Sequence, residues 1–270
     1  MKKLNFTKMV GSGNDFIIIR LKNSRTPAYP AGRQELKNLA AKICDRKYGA
    51  GADGMLVLEK SKIADTKMRI FNADGSEAEM CGNGARCAAL ISARRKGKIE
   101  TRAGVIKTQV CGSQVKIQLT DPKAIKLDIP LKVNGRSIKV NFINTGVPHA
   151  VVFVNGIDNL DVVNIGGSIR RNVRFAPAGT NVDFVEIKGN NLMRIRTYER
   201  GVEDETLACG TGSAAAALIF ALKNNLEKLV RVKTQSGEQL KVYFKKEENK
   251  FQDVWLEGSA KIVYKGEYYV

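Results

Sequence analysis

One histidine and one tryptophan are all that this chain of 270 residues contains of either type. A single histidine leaves a zinc centre short of nitrogen ligands, and none of the five cysteines forms a Cys-X-X-Cys pair to make up the lack. Five is also an odd number, spread along a long chain, which speaks against a disulfide framework. Long apolar runs are missing too. The longest, Ala214 to Leu222, falls well short of the roughly 20 residues a membrane helix needs. The start, Met1-Lys2-Lys3-Leu4-Asn5-Phe6, is basic but lacks the apolar stretch of a signal peptide. A soluble, cytoplasmic protein without a membrane partner is expected. No Gly-X-Gly-X-X-Gly follows a strand with an acidic residue about 20 positions on, and no P-loop lysine occurs, so the nucleotide folds that rely on them are excluded.

Acidic residues are scarce: 27 Asp and Glu stand against 45 Lys and Arg, for a formal net charge of +18. That balance raises nucleic-acid binding as a class. The basic residues are dispersed, however, and the densest groups, Arg94-Arg95-Lys96-Gly97-Lys98 and Lys245-Lys246, are short and flank turns. With one tryptophan and no recognition motif, the charge reads as a solvated surface, and no nucleic-acid partner is expected.

What the chain does have is one chemically dense stretch, given twice. Phe71-Asn72-Ala73-Asp74-Gly75-Ser76 leads through Met80-Cys81-Gly82-Asn83-Gly84 into the apolar run Cys87-Ala88-Ala89-Leu90-Ile91. Ala208-Cys209-Gly210-Thr211-Gly212 leads likewise into the Ala-rich run from Ala214. Each run has the texture of a well-packed helix, so each cysteine is placed at a helix start. There the unpaired N–H groups and the dipole favour a thiolate, and the glycines admit an anion to the backbone. Gly82, Asn83, Gly210 and Thr211 are the natural N–H donors. The repeat extends upstream: Gly51-Ala52-Asp53 and Gly179-Thr180-Asn181 stand at the same separation as the two cysteines. Cys44, Cys87 and Cys111 are expected to be small buried hydrophobes.

The spacing predicts strands on both sides of the Gly11–Asp15 turn, an amphipathic helix over Arg33 to Cys44, and strands at Met55–Leu58 and Lys67–Phe71. After the Cys81 helix come strands at Thr101–Val110 and Gln114–Leu119, and Asp121-Pro122 marks the crossing into the second half. There the strand to Asn144, the Gly146-Val147-Pro148-His149 turn, a helix over Asp158 to Arg171 and the strands Val182–Ile187 and Leu192–Tyr198 repeat the order. Four strands from Val230 onward finish the chain. The expected fold is α+β: two pseudo-symmetric halves, each a curved, mostly antiparallel sheet or barrel wrapped around a central helix. Residues 1–119, joined by a C-terminal strand at about 259–270, would form one half and residues 120–258 the other, with an active site in the cleft between them.

Two thiols on opposite sides of one carbon suit a 1,1-proton transfer, in which a thiolate removes a proton from one face and a thiol returns one to the other. Two helix N-termini would stabilise charge developing on an adjacent carboxylate. No lysine stands in a pyridoxal-phosphate setting, so the chemistry is expected to need no cofactor.

At these residues the chain resembles the diaminopimelate epimerase family. Gly13-Asn14-Asp15-Phe16, the Phe71 to Cys87 stretch, Pro148-His149, Gly179-Thr180-Asn181-Val182, Glu199-Arg200-Gly201 and Ala208 to Gly212 carry the likeness nearly end to end. It implies pyridoxal-phosphate-independent interconversion of LL- and meso-2,6-diaminopimelate, in lysine and peptidoglycan precursor synthesis. It implies that Cys81 and Cys209 are the acid/base pair, assisted by His149 and Glu199. Asn14, Asn72, Asn181 and Arg200 would bind the distal end of the substrate, and a homodimer is implied as well. Val147 stands where many members have Asn, and Gly54 where some have Gln. Another two-thiol racemase, of the proline racemase kind, is the alternative, though proline lacks the second polar end that Arg200 and the asparagines suit. Facing cysteines could also oxidise to an inactive disulfide that a reductant reopens.

Overall fold

The computed structural model of the chain describes residues 3–21, 32–92 and 94–270. The basic start at Met1-Lys2 lies outside them. The chain divides into two compact units, Met1–Ile117 with Gly258–Val270, and Gln118–Glu257.

The first unit holds β1 (Lys3–Gly11), β2 (Asn14–Arg20), α1 (Arg33–Ile43), β3 (Gly54–Glu59), β4 (Thr66–Asn72), β5 (Glu77–Ala78), α2 (Gly82–Ile91), β6 (Lys96–Thr101), β7 (Gly104–Cys111) and β8 (Gln114–Gln118). The second holds β9 (Lys123–Val133), β10 (Arg136–Asn144), β11 (Pro148–Phe153), α3 (Val162–Arg170), β12 (Asn181–Gly189), β13 (Leu192–Glu199), β14 (Asp204–Thr206), α4 (Gly210–Lys223), β15 (Leu229–Lys233), β16 (Gln239–Glu247) and β17 (Lys250–Ser259). A last strand, β18 (Lys261–Tyr269), belongs to the first unit.

The sequence repeat is a repeat of topology. In the first unit β1 runs antiparallel between β18 and β2, β2 pairs β3 in parallel, and β3 pairs β4 antiparallel. β4 then takes β5 antiparallel and β6 parallel, and β6, β7 and β8 form a meander. In the second unit β10 runs antiparallel between β9 and β11, β11 pairs β12 in parallel, and β12 pairs β13 antiparallel. β13 takes β14 antiparallel and β15 parallel, and β15, β16 and β17 continue as a meander. Strand for strand, the two maps agree.

Each unit puts a helix on both faces of its central strands. Leu36, Leu39, Ala40 and Ile43 form the buried stripe of α1 and pack with Ile17, Ile19, Met55, Val57 and Phe71. The alternate residues face the other way: Leu56 meets α2 at Gly84, where a side chain would press on its methyls. Burial on both faces is why Phe16–Ile19 and Met55–Leu58 are unbroken apolar runs. In the second unit Val162 and Ile169 of α3 pack with Ala150, Val152, Val182, Phe184 and Tyr198. The opposite face receives α4, whose residues Gly212 to Ala221 are all buried. A helix apolar around its whole circumference belongs inside its unit.

Some expectations are corrected. β6, β9 and the short β5 and β14 were not legible as strands. β6 has one buried apolar residue, Ile99, and β9 is largely exposed with Pro130 inside it. The helix expected over Asp158 to Arg171 is a short 3-10 turn, Ile157–Asn159, followed by α3. Cys111 is exposed rather than buried, because it ends β7 at the Gly112 turn. No helix among the described residues is long and apolar enough to cross a membrane.

Candidate active site

Cys209 is the N-cap of α4, in extended backbone conformation, and only 5% of it is exposed. Its Sγ accepts the N–H of Gly212 at 3.4 Å and lies 3.4 Å from Thr211 Oγ1. The N–H of Ser213 closes the first turn on the Cys209 carbonyl. Gly210 and Thr211 therefore carry the N–H groups that helix bonding leaves over. The expected thiolate-favouring effect of the helix start is overruled here. Burial pushes the Cys209 thiol well above its ordinary value, the negative charges of Glu199 and Asp183 add to that, and the bonds from Thr211 and Gly212 counter only part of it.

His149 is fully buried. Its Nδ1 is 2.7 Å from Asp183 Oδ2 and its Nε2 is 3.0 Å from Thr211 Oγ1. Burial, reinforced by the Asp183 charge, pushes the nearby Glu199 carboxyl up, while Thr206 and, to a lesser degree, His149 oppose the shift. Asn181 ties three segments of the unit together: its Nδ2 donates to Pro148 O at 3.1 Å and its Oδ1 accepts the Arg200 N–H at 2.8 Å. Arg200 Nη1 donates to Ala178 O at 3.2 Å, leaving the rest of the guanidinium fork for other acceptors.

In the first unit Cys81 is likewise the extended N-cap of its helix, α2, which begins at Gly82. The Ala85 N–H closes the first turn on the Cys81 carbonyl at 2.8 Å. From there a directed chain of side-chain bonds runs outward. Arg86 Nη2 donates to Asn83 Oδ1 at 2.8 Å, Asn83 Nδ2 to Asn14 Oδ1 at 2.7 Å, and Asn14 Nδ2 to Asp53 Oδ2 at 3.0 Å. A cation at one end and a carboxylate at the other fix the orientation of both amides. Asp53 and Asn181, matched in the sequence repeat, each bind the start of the neighbouring parallel strand, Asp53 through the Asp15 N–H at 3.1 Å. Asn72 is exposed and donates to Ser76 Oγ at 2.9 Å.

The structure thus groups Cys209 with His149, Thr211 and Glu199, and ties Asn14 to Asn83 in the first turn of the Cys81 helix. Sequence reasoning overlooked Asp183, Thr197, Asp53 and the fully buried Arg86. Asp183 had a readable signal, an acid set between the apolar residues Val182, Phe184 and Val185. Among the described residues, no group of three or more His, Cys, Asp and Glu side chains is arranged to hold a metal ion.

Comparison with known proteins supplies the family. Residues 6–125 and 141–263 match the family model of diaminopimelate epimerase. The chain is 41% identical to the diaminopimelate epimerase of Aquifex aeolicus, over 97% of each chain. To that of Chlorobaculum tepidum it is 43% identical, over 96% of this chain and 98% of the relative. Among solved structures, a phenazine biosynthesis protein of the PhzF family from Bacillus anthracis shares the fold with a TM-score of 0.76, at 19% identity and full coverage of both chains. A probable proline racemase from Agrobacterium radiobacter does so with a TM-score of 0.72 at 14% identity, over 99% of this chain and 93% of that one. The chain belongs to the diaminopimelate epimerase family.

Proposed function

We propose that the protein interconverts LL- and meso-2,6-diaminopimelate by two-base proton transfer at the α-carbon, without a cofactor. The observation that carries this is a cysteine at the N-cap of a helix in each of two topologically matched units. Inversion at carbon requires one base and one acid, and each unit supplies one thiol. One sulfur, as thiolate, takes the α-proton, and the other, as thiol, returns a proton to the opposite face. Running the reaction backwards exchanges the roles.

The α-proton of an amino acid is weakly acidic because its removal places charge on the neighbouring carboxylate. First-turn N–H groups at Gly82 and Asn83, and at Gly210 and Thr211, are suited to stabilising that charge. His149 and Glu199 serve Cys209, since both belong to its surroundings. Arg200 offers a fork for the second carboxylate, and Asn14, Asn72 and Asn181 have amide groups that suit an ammonium and a carboxylate together. A homodimer in the cytoplasm is part of the same proposal.

The test is conversion of LL-diaminopimelate by the purified chain without added cofactor, followed by chiral separation. Cys81→Ala and Cys209→Ala should each lose at least about 10²-fold in kcat, the lower range for a proton-transfer group. Turnover of proline instead would move the substrate. No turnover at all, or full activity in either variant, would overturn the proposal.

A further inference from the structure

Three neighbouring strands of the second unit place a polar thread on the face covered by α4. In the parallel β11–β12 register His149 stands opposite Asn181 and Val151 opposite Asp183, while Asp183 pairs directly with Thr197 across β12 and β13. The thread is made of side chains in contact. Thr197 Oγ1 donates to Asp183 Oδ1 at 2.8 Å, and Asp183 Oδ2 meets His149 Nδ1 at 2.7 Å. His149 Nε2 meets Thr211 Oγ1 at 3.0 Å, which in turn is 3.4 Å from Cys209 Sγ. We infer that the Thr211 hydroxyl is the proton conduit between Cys209 and His149, and that Asp183 sets its polarity by holding a proton on His149 Nδ1. The catalytic use of this conduit rests on the reaction proposed above.

With Asp183 ionised and His149 uncharged, every bond in the thread takes one direction. A carboxylate at Asp183 can only accept, so Thr197 donates to one oxygen and His149 Nδ1–H to the other. Nε2 is then left with its lone pair and accepts from the Thr211 O–H. Thr211 Oγ1 in turn has a lone pair for the Cys209 S–H. Proton movement along this line balances without any co-reactant. The S–H bond breaks as an O–H bond forms, and the original Thr211 O–H proton passes to Nε2. The products are a thiolate at Cys209 and an imidazolium held by Asp183. The reverse motion restores the thiol.

Electrostatics favour this route over loss of the proton to solvent. Cys209 is buried beside the Glu199 and Asp183 carboxyls, which disfavour a thiolate, so one formed alone would add negative charge to a buried cluster. Passing the proton to His149 leaves the net charge of the cluster unchanged. The fold also explains how Asp183 is tolerated at 0% exposure. Its carboxylate lies against the first turn of α4, where a Cβ on Gly212 would collide with it, so the dipole of that helix supports the charge. In the first unit the matching position two residues after the cysteine is Asn83, an amide that donates to Asn14 and cannot shuttle a proton in this way. Met55 occupies the place of Asp183 in the strand repeat, with Phe71 as its cross-strand partner where Asp183 has Thr197.

The chain has one histidine, so ¹⁵N-histidine labelling of the whole protein gives a single imidazole to observe. In its uncharged form His149 is expected as the Nδ1–H tautomer, and Asp183→Asn should shift it to Nε2–H with a loss of roughly 10⁴-fold in kcat, as for the wrong tautomer in a serine-protease triad. Thr211→Val should lose about 10²-fold in kcat with KM nearly unchanged, since its backbone N–H remains, and Thr211→Ser should recover most of that loss. An Nε2–H tautomer in the unmodified protein, or wild-type kcat in Thr211→Val, would overturn the inference. If diaminopimelate is not turned over at all, the proposed reaction fails, and the tautomer still decides the relay.

Discussion

At the residue scale, the same side chain behaves according to how much water it keeps. Cys44, buried beneath α1, has its thiol pushed up to about 12 by desolvation, with smaller effects from Lys8, which lowers it, and Asp15, which raises it. Cys111 is exposed at its turn. Alkylation of the native protein at pH 8, followed by mass spectrometry, should therefore label Cys111 and leave Cys44 unmodified until the protein unfolds. Asp15 shows the opposite case. Burial alone would raise its carboxyl, but hydrogen bonds from Arg46 and Lys8 outweigh burial and hold it well below the usual carboxylate range. Its folded value lies below its unfolded one, so the stability it contributes is present above the unfolded value, near pH 4, and is lost as pH falls further. Asp15→Asn should cost on the order of 2 kcal/mol at neutral pH and flatten the acid limb of a denaturant-unfolding series. An unchanged acid limb would contradict this. These residues also show what a sequence hides. Cys81, Cys209 and His149 were legible because each stands in a motif. Asp183 and Asp53 act through partners 34 and 39 positions away in the chain, His149 and Asn14, and only strand pairing reveals them.

At the element scale, legibility followed periodicity. α1 and the central strands have clear apolar patterns because they are buried on a stripe or on both faces. β9 is mostly solvated and takes its place through backbone pairing with β10, which leaves little trace in side-chain type. The packing of α3 on β13 is another feature that a pattern does not record. Gly166 in α3 faces Tyr198, and an added Cβ would come within 2.6 Å of the Tyr198 Cβ. Alanine would gain about 1 kcal/mol in helix propensity. That gain is smaller than the cost of forcing a helix away from a rigid strand, about 1–3 kcal/mol for overpacking. Gly166→Ala should thus lower stability, read as a reduced midpoint in urea; a raised midpoint would show that α3 moves freely.

At the scale of the whole molecule, the chain is one design given twice and then differentiated. Both units repeat the strand map and the cysteine at a helix N-cap. The duplication was legible because the two Cys-Gly-X-Gly starts and the upstream Gly-rich turns keep one separation. The differentiation was not. The second unit threads His149, Asp183 and Thr197 behind its cysteine, whereas the first surrounds the corresponding turn with Arg86, Asn83 and Asn14. The proposed reaction gives the pair of thiols one task, and two-base transfer is its central claim. The most direct measurement is conversion of LL-diaminopimelate in deuterated water, stopped at early times, with the α-hydrogen isotope read separately in product and remaining substrate. Two-base transfer predicts meso product carrying one solvent deuterium while the remaining LL substrate stays protiated. Equal early labelling of substrate and product would mean that a single base serves both faces, and would contradict the account.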